Sequence, residues 1–197
     1  MNLFLIGYRC SGKTSIGKVL ADRMEWSFID TDDWVTAASG CSIKEIVTTS
    51  GWPVFRYWEQ RALIDIIQKD RQVVATGGGI VLEKRNITLM KKSGKIIWLT
   101  ARSETIRSRM MADPATDAFR PALTSQGAAE EIDLELAQRT PLYTWAADLS
   151  ISTDMRSAVA TAGEILAYLI RNREPIHPVE PENLCGVIND EIVKTQN

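Results

Sequence analysis

The stretch Asn2-Leu3-Phe4-Leu5-Ile6-Gly7-Tyr8-Arg9-Cys10-Ser11-Gly12-Lys13-Thr14 decides the fold. Its first five residues are a short apolar run that reads as a strand buried on both faces. Residues 7–14 satisfy G-x-x-x-x-G-K-[ST] at every fixed position. Ile16, Val19, Leu20 and Met24 then recur at helical spacing. Strand, glycine-rich turn and helix form the context in which this pattern becomes a phosphate-binding loop. The backbone N–H groups of Cys10, Ser11, Gly12, Lys13, Thr14 and Ser15, with the positive end of the helix dipole, would cradle a polyphosphate. Lys13 would reach the β- and γ-phosphates, and the Thr14 hydroxyl would face Mg²⁺. The alternative is a tight glycine turn that merely precedes a helix.

Outward from this loop, strand candidates alternate with helical periodicity. The strands are read at Asn2–Ile6, Ser27–Ile29, Val73–Ala75, Ile96–Leu99 and, more weakly, Leu149–Ile151. The helices are read at 13–24, 54–68, 82–92, 103–111, 128–139 and 156–170. Ser42-Ile43-Lys44-Glu45 is a capping box that opens a further short helix, and Pro53 suits the first turn of the next. This alternation predicts an α/β, three-layer architecture, with a five-stranded parallel sheet flanked by helices. One domain is expected over residues 1–171. Residues 112–127 carry two prolines and no sustained period, which reads as a long mobile lid. Residues 172–197, with prolines at 175, 178 and 181, read as a partly disordered tail outside the core.

Composition narrows the function classes. The chain has 197 residues, 45% hydrophobic and 24% charged, with a formal net charge of −2, so no basic surface suggests nucleic acid or an anionic membrane. No apolar run approaches the ~18 residues of a membrane span. Three widely spaced cysteines form no disulfide framework and suit a reducing compartment, and Met1 leads straight into the first strand without a signal-like segment. A cytoplasmic protein is expected. The one histidine, His177, lies in the proline-rich tail, so a His-centred triad or multi-His metal site is excluded by inventory.

Four further features carry chemistry. The second strand runs into Ile29-Asp30-Thr31-Asp32-Asp33, and in open α/β sheets ligands bind beyond the carboxyl ends of strands. Phosphoryl transfer needs one acid near the metal and one that orients the attacking hydroxyl or takes its proton, and Asp30 and Asp32 fit these roles. The competing reading is helix capping, for which Asp33 is the natural residue ahead of a helix at Trp34. Gly77-Gly78-Gly79 closes the third strand and would let backbone approach a ligand; a plain flexible turn reads equally well. Arg120, inside the lid, could close over transferring phosphate, whereas Arg56 and Arg139 read from spacing alone as solvated surface residues.

Taken in order, these segments resemble the shikimate kinases, small P-loop kinases of the nucleoside-monophosphate-kinase-like fold. The resemblance covers roughly residues 3–152. It rests on the phosphate loop, Asp30-Thr31-Asp32, Phe55-Arg56, Gly77-Gly78-Gly79, Arg120-Pro121 and Arg139-x-Pro141-Leu142-Tyr143. It implies transfer of the γ-phosphate of ATP to the 3-hydroxyl of shikimate, on the route to chorismate and aromatic amino acids, with ATP and Mg²⁺ as cofactors. By the same resemblance Lys13 stabilises the transferred phosphoryl group, Thr14 and Asp30 hold Mg²⁺, and Asp32 binds the reactive hydroxyl. Arg56 and Arg139 would take the substrate carboxylate, Gly78 and Gly79 would line the ring site, and Arg120 would reach ATP from the lid. The neighbourhood of Ser152-Thr153-Asp154 is expected near adenine. A monomer is expected. Cys10 stands where the family often has glycine, which argues against a left-handed backbone there. The alternatives are another small-metabolite kinase, such as a gluconate kinase, and a nucleotide-gated regulatory module.

Overall fold

The computed structural model describes residues 1–112 and 128–172. The expected lid, its Arg120 and the C-terminal tail lie outside the described residues. In chain order the elements are β1 (Asn2–Ile6), α1 (Lys13–Met24), β2 (Ser27–Asp30), α2 (Thr31–Ser39), α3 (Ile43–Ile66), β3 (Gln72–Ala75) and a 3₁₀ turn (Ile80–Leu82). They continue with α4 (Lys84–Ser93), β4 (Gly94–Thr100), α5 (Ser103–Ala112), α6 (Ala128–Ala146), β5 (Leu149–Ser152) and α7 (Ala158–Arg171).

The five strands form one sheet in the order β2-β3-β1-β4-β5, every pairing parallel. β1 is central, so its residues are buried on both faces and read as an unbroken apolar run. Alternation still divides its side chains. Phe4 and Ile6 join the cluster formed with α2, α3, α4 and α6, which includes Val35, Phe55, Leu63, Met90 and Tyr143. Leu3 and Leu5 join Ile16, Leu20, Ala162 and Ile165 of α1 and α7 on the opposite face. Two helical layers therefore clamp the sheet, as the alternation of strand and helix predicts.

Several boundaries move from their predicted positions, each for a physical reason. α2 begins at Thr31, directly after β2, and its cap is Asp30 rather than Asp33: Asp30 Oδ1 accepts the N–H of Asp32 at 3.0 Å. The capping box forms as predicted, with Ser42 and Glu45 bonded reciprocally. The helix it opens continues to Ile66, broken at Gly51 (φ 81°, ψ 170°), and Pro53 sits just past that break. α6 runs on through Pro141 to Ala146. Buried Tyr143 and Ala146 pack in the core and hold this last stretch helical despite the backbone N–H that proline lacks.

β1 and β4 approach closely where α4 ends. Gly94 pairs with Asn2, and a Cβ placed on Gly94 would lie 2.0 Å from the Asn2 carbonyl oxygen. Its backbone is extended, so the constraint is steric. Gly94→Ala should destabilise the protein by about 1–3 kcal/mol, the usual range for overpacking. Urea denaturation should show a lower midpoint at unchanged slope; an unchanged midpoint would mean that the two strands can separate without loss.

Candidate active site

A cleft of about 570 Å³ opens at the carboxyl ends of β1, β2 and β3, where the strand order reverses around β1. Cys10, Gly12, Lys13, Thr14, Ser15, Asp30, Asp32 and Gly78 line it, together with Arg9, Arg109, Thr153 and Arg156. The cleft thus gathers the loop, the acid pair and the glycine triplet, which are far apart in sequence.

The loop is shaped by steric necessity at its two ends. Gly7 has φ 139°, and a Cβ on it would stand 2.4 Å from the Leu99 carbonyl oxygen of β4. Gly12, at φ 95°, caps α1. Between them Cys10 adopts φ 59°, contrary to the expectation drawn from its being a non-glycine residue. A side chain in this region costs about 1–3 kcal/mol and persists only where its surroundings enforce it. Here Arg109 does so. Its Nη1 donates to the Cys10 carbonyl at 3.0 Å and to Thr153 Oγ1 at 3.0 Å, and Nη2 donates to the Thr153 carbonyl at 2.7 Å. Arg109 therefore ties the phosphate loop to the segment after β5. No sequence motif singled it out; only the packing of α5 over both segments reveals it. Thr153 lies in the neighbourhood expected for adenine.

Lys13 Nζ reaches back over the loop and donates to the carbonyls of Gly7 (2.9 Å) and Tyr8 (2.7 Å), which holds the ammonium at the mouth of the loop. Thr14 Oγ1 donates to Asp30 Oδ2 at 3.0 Å. Asp30 thus caps α2 with one oxygen and meets Thr14 with the other. Burial, and then the neighbouring Asp32, raise the Asp30 pKa above its ordinary value. A hydroxyl and a half-buried carboxylate form an all-oxygen donor set suited to Mg²⁺, which prefers one or two protein ligands and keeps several waters.

A second cluster of side chains is built around Gly78 and Gly79. A Cβ on Gly79 would stand 2.2 Å from Arg56 Nη2, and one on Gly78 would stand 3.7 Å from Arg139 Nη1. Two guanidinium groups, from α3 and α6, thus converge on the triplet, and neither is a solvated surface group. Arg139 is 8% exposed. Arg56 Nη1 pairs with Glu59 Oε2 at 2.5 Å, and its Cζ lies 5.5 Å from the Trp52 ring centroid and 5.2 Å from that of Phe55. The Tyr143 hydroxyl donates to the Gly78 carbonyl at 2.5 Å and fixes the triplet from behind.

The family model for shikimate kinase matches residues 9–170. Shikimate kinase of Oleidesulfovibrio alaskensis is 40% identical over 167 residues, covering 85% of this chain and 96% of the relative. That of Syntrophus aciditrophicus is 38% identical, covering 84% and 89%. The chain belongs to the shikimate kinase family. It is an ATP-dependent kinase that uses Mg²⁺ and phosphorylates a hydroxyl of shikimate, a reaction of aromatic amino acid biosynthesis. Among solved structures, shikimate kinase from Acinetobacter baumannii in complex with shikimate superposes with a TM-score of 0.82 at 28% identity, covering 87% of this chain and 94% of that one. A gluconokinase from Sinorhizobium meliloti reaches a TM-score of 0.53 at 14% identity, a likeness of fold alone.

Loss of the Arg109 tether should loosen the nucleotide end selectively. Arg109→Ala is expected to raise the KM for ATP about tenfold, the order of one net hydrogen bond, and to leave the KM for shikimate nearly unchanged. Steady-state kinetics with each substrate varied in turn checks this; equal KM values for ATP in both proteins would mean that the tether does not shape the phosphate loop.

Proposed function

We propose that the family reaction is divided among the cleft residues as follows. Lys13 bonds the β- and γ-phosphates within the loop N–H groups of Cys10 to Ser15, and stabilises charge on the moving phosphoryl group. Thr14 and Asp30 would hold Mg²⁺, which would supply positive charge to offset that of the phosphates. Asp32 accepts the hydrogen bond of the shikimate 3-hydroxyl and orients it for attack in line with the leaving oxygen. Arg56 and Arg139 bind the substrate carboxylate, and Gly78 and Gly79 admit the ring; a side chain at Gly79 would collide with the Arg56 guanidinium. Arg120, outside the described residues, is assigned to ATP on sequence alone. We also assign the chain as a monomer located in the cytoplasm, with a single catalytic domain over residues 1–171 followed by a tail over 172–197.

The observation that carries this reading is the convergence of two carboxylate-paired arginines, Arg56 half-buried and Arg139 buried, on Gly79 and Gly78, the latter lining the same cleft as Asp32 and Lys13. A planar guanidinium suits a carboxylate bidentately, and the phosphate loop already accounts for the nucleotide. Shikimate supplies one carboxylate and several hydroxyls, which matches two arginines, an aspartate and exposed glycine backbone.

A coupled assay of ADP release, with shikimate, gluconate and nucleoside monophosphates in parallel, should give turnover with shikimate. Turnover with gluconate alone would transfer the site to that acid. Arg56→Ala and Arg139→Ala should each raise the KM for shikimate strongly, in line with the roughly 2–5 kcal/mol lost when one partner of a buried charged contact is removed. The KM for ATP should stay close to that of the parent protein. A variant that handles shikimate like the parent would remove that arginine from the carboxylate site.

Arg120→Ala should reduce kcat by about 10²-fold, more than it weakens ATP binding, because an electrostatic clamp acts most on the transition state. Unchanged turnover would end the clamp assignment.

A further inference from the structure

Glu135 stands one helical turn before Arg139 on α6, and its Oε1 accepts from Arg139 Nη2. Both partners are largely withdrawn from water, with side chains 13% and 9% exposed. The other terminal nitrogen, Nη1, is the one nearest Gly78. Beneath the guanidinium lies the ring of Tyr8, with its centroid 5.6 Å from Arg139 Cζ. Tyr8 is 1% exposed and packs with Ile106 and Ile132, the first from α5 and the second from α6. Its phenol faces the Glu135 carboxylate. Burial first, and the neighbouring Glu135 carboxylate next, push the phenol above its ordinary pKa.

A guanidinium carries five N–H groups in a rigid fork, and the edge it presents depends on what occupies the remaining nitrogens. We propose that Glu135 is a positioning residue for substrate binding: it occupies Nη2 of Arg139, above the Tyr8 ring, so that the Nη1 edge is presented at Gly78. This rests on the assignment of Arg139 to the shikimate carboxylate. Arg56 is arranged in the same way, with Glu59 on one nitrogen and Gly79 beside the other. Each arginine already has a counter-ion, so recognition of the substrate depends on which N–H edges are offered rather than on uncompensated positive charge.

The test is steady-state kinetics with both substrates on Glu135→Leu, Glu135→Gln, Arg139→Ala and the Glu135→Leu/Arg139→Ala double variant. Glu135→Leu should raise the KM for shikimate about tenfold while kcat and the KM for ATP stay within about twofold. Glu135→Gln, which retains the acceptor atom, should recover most of that loss. In the Arg139→Ala background, adding Glu135→Leu should change the shikimate KM by less than about twofold, because the group being positioned is gone. If Arg139→Ala raises the shikimate KM and Glu135→Leu does not, the positioning role is overturned while the carboxylate assignment stands. If Arg139→Ala itself leaves that KM unchanged, the carboxylate assignment falls, and the positioning role with it. Equal rises in both KM values would mark a merely structural residue and overturn the inference. Should the leucine variant fail to fold, Glu135→Asp, which shortens the arm by one methylene, carries the same test with the same outcomes.

Discussion

The contact on which the site depends is the passage of Gly7 against the backbone of β4. β1 lies between β3 and β4, and at its end the chain must turn away within 2.4 Å of where a Cβ would strike the Leu99 carbonyl. Only a residue without a side chain makes that turn, and the turn starts the loop whose N–H groups face inward toward α1. The left-handed residue at Cys10 and the cap at Gly12 follow from closing this loop in so few residues. The residues assigned to phosphate are arranged around that closure: Lys13 folded across the loop and Thr14 against Asp30, with Arg109 latching Cys10 to Thr153.

The surroundings of Gly78 and Gly79 work under a different constraint, the placement of positive charge among partly desolvated side chains. A buried arginine is tolerable only when paired, and pairing offsets desolvation without guaranteeing net stabilisation. Arg56 with Glu59, and Arg139 with Glu135, both obey this. Such pairs contribute less to folding than to orientation, since each fixes one nitrogen and leaves another toward the glycine pair. The aromatic rings of Trp52, Phe55 and Tyr8 complete the cage by lying against the guanidinium groups.

The acid pair shows how a single side chain can satisfy both a structural and a chemical reading. Capping of α2 at Asp30 immobilises its carboxylate, and the same immobilisation aims Oδ2 at Thr14. Sequence reasoning set capping against function and gave the cap to Asp33. It could not see that β2 passes into α2 without an intervening residue, because the only sign of that junction is the hydrogen bond itself.

The sequence by itself determined the parallel α/β sheet, the phosphate loop, the acid pair and the capping box at Ser42. Each is encoded locally, in a period of hydrophobicity, a steric requirement or a side chain that bonds its own near neighbours. Arg56 and Arg139 were legible only through the resemblance to a family, since spacing alone left them on the surface. Tertiary structure decided that Arg139 is buried and Arg56 half-buried beside Gly78 and Gly79, that α6 continues through Pro141, that Cys10 is left-handed, that Arg109 bonds both Cys10 and Thr153, and that Glu135 and the Tyr8 ring lie against Arg139. These depend on which helix packs over which strand end, and contacts between distant segments leave no periodic or local trace in the chain.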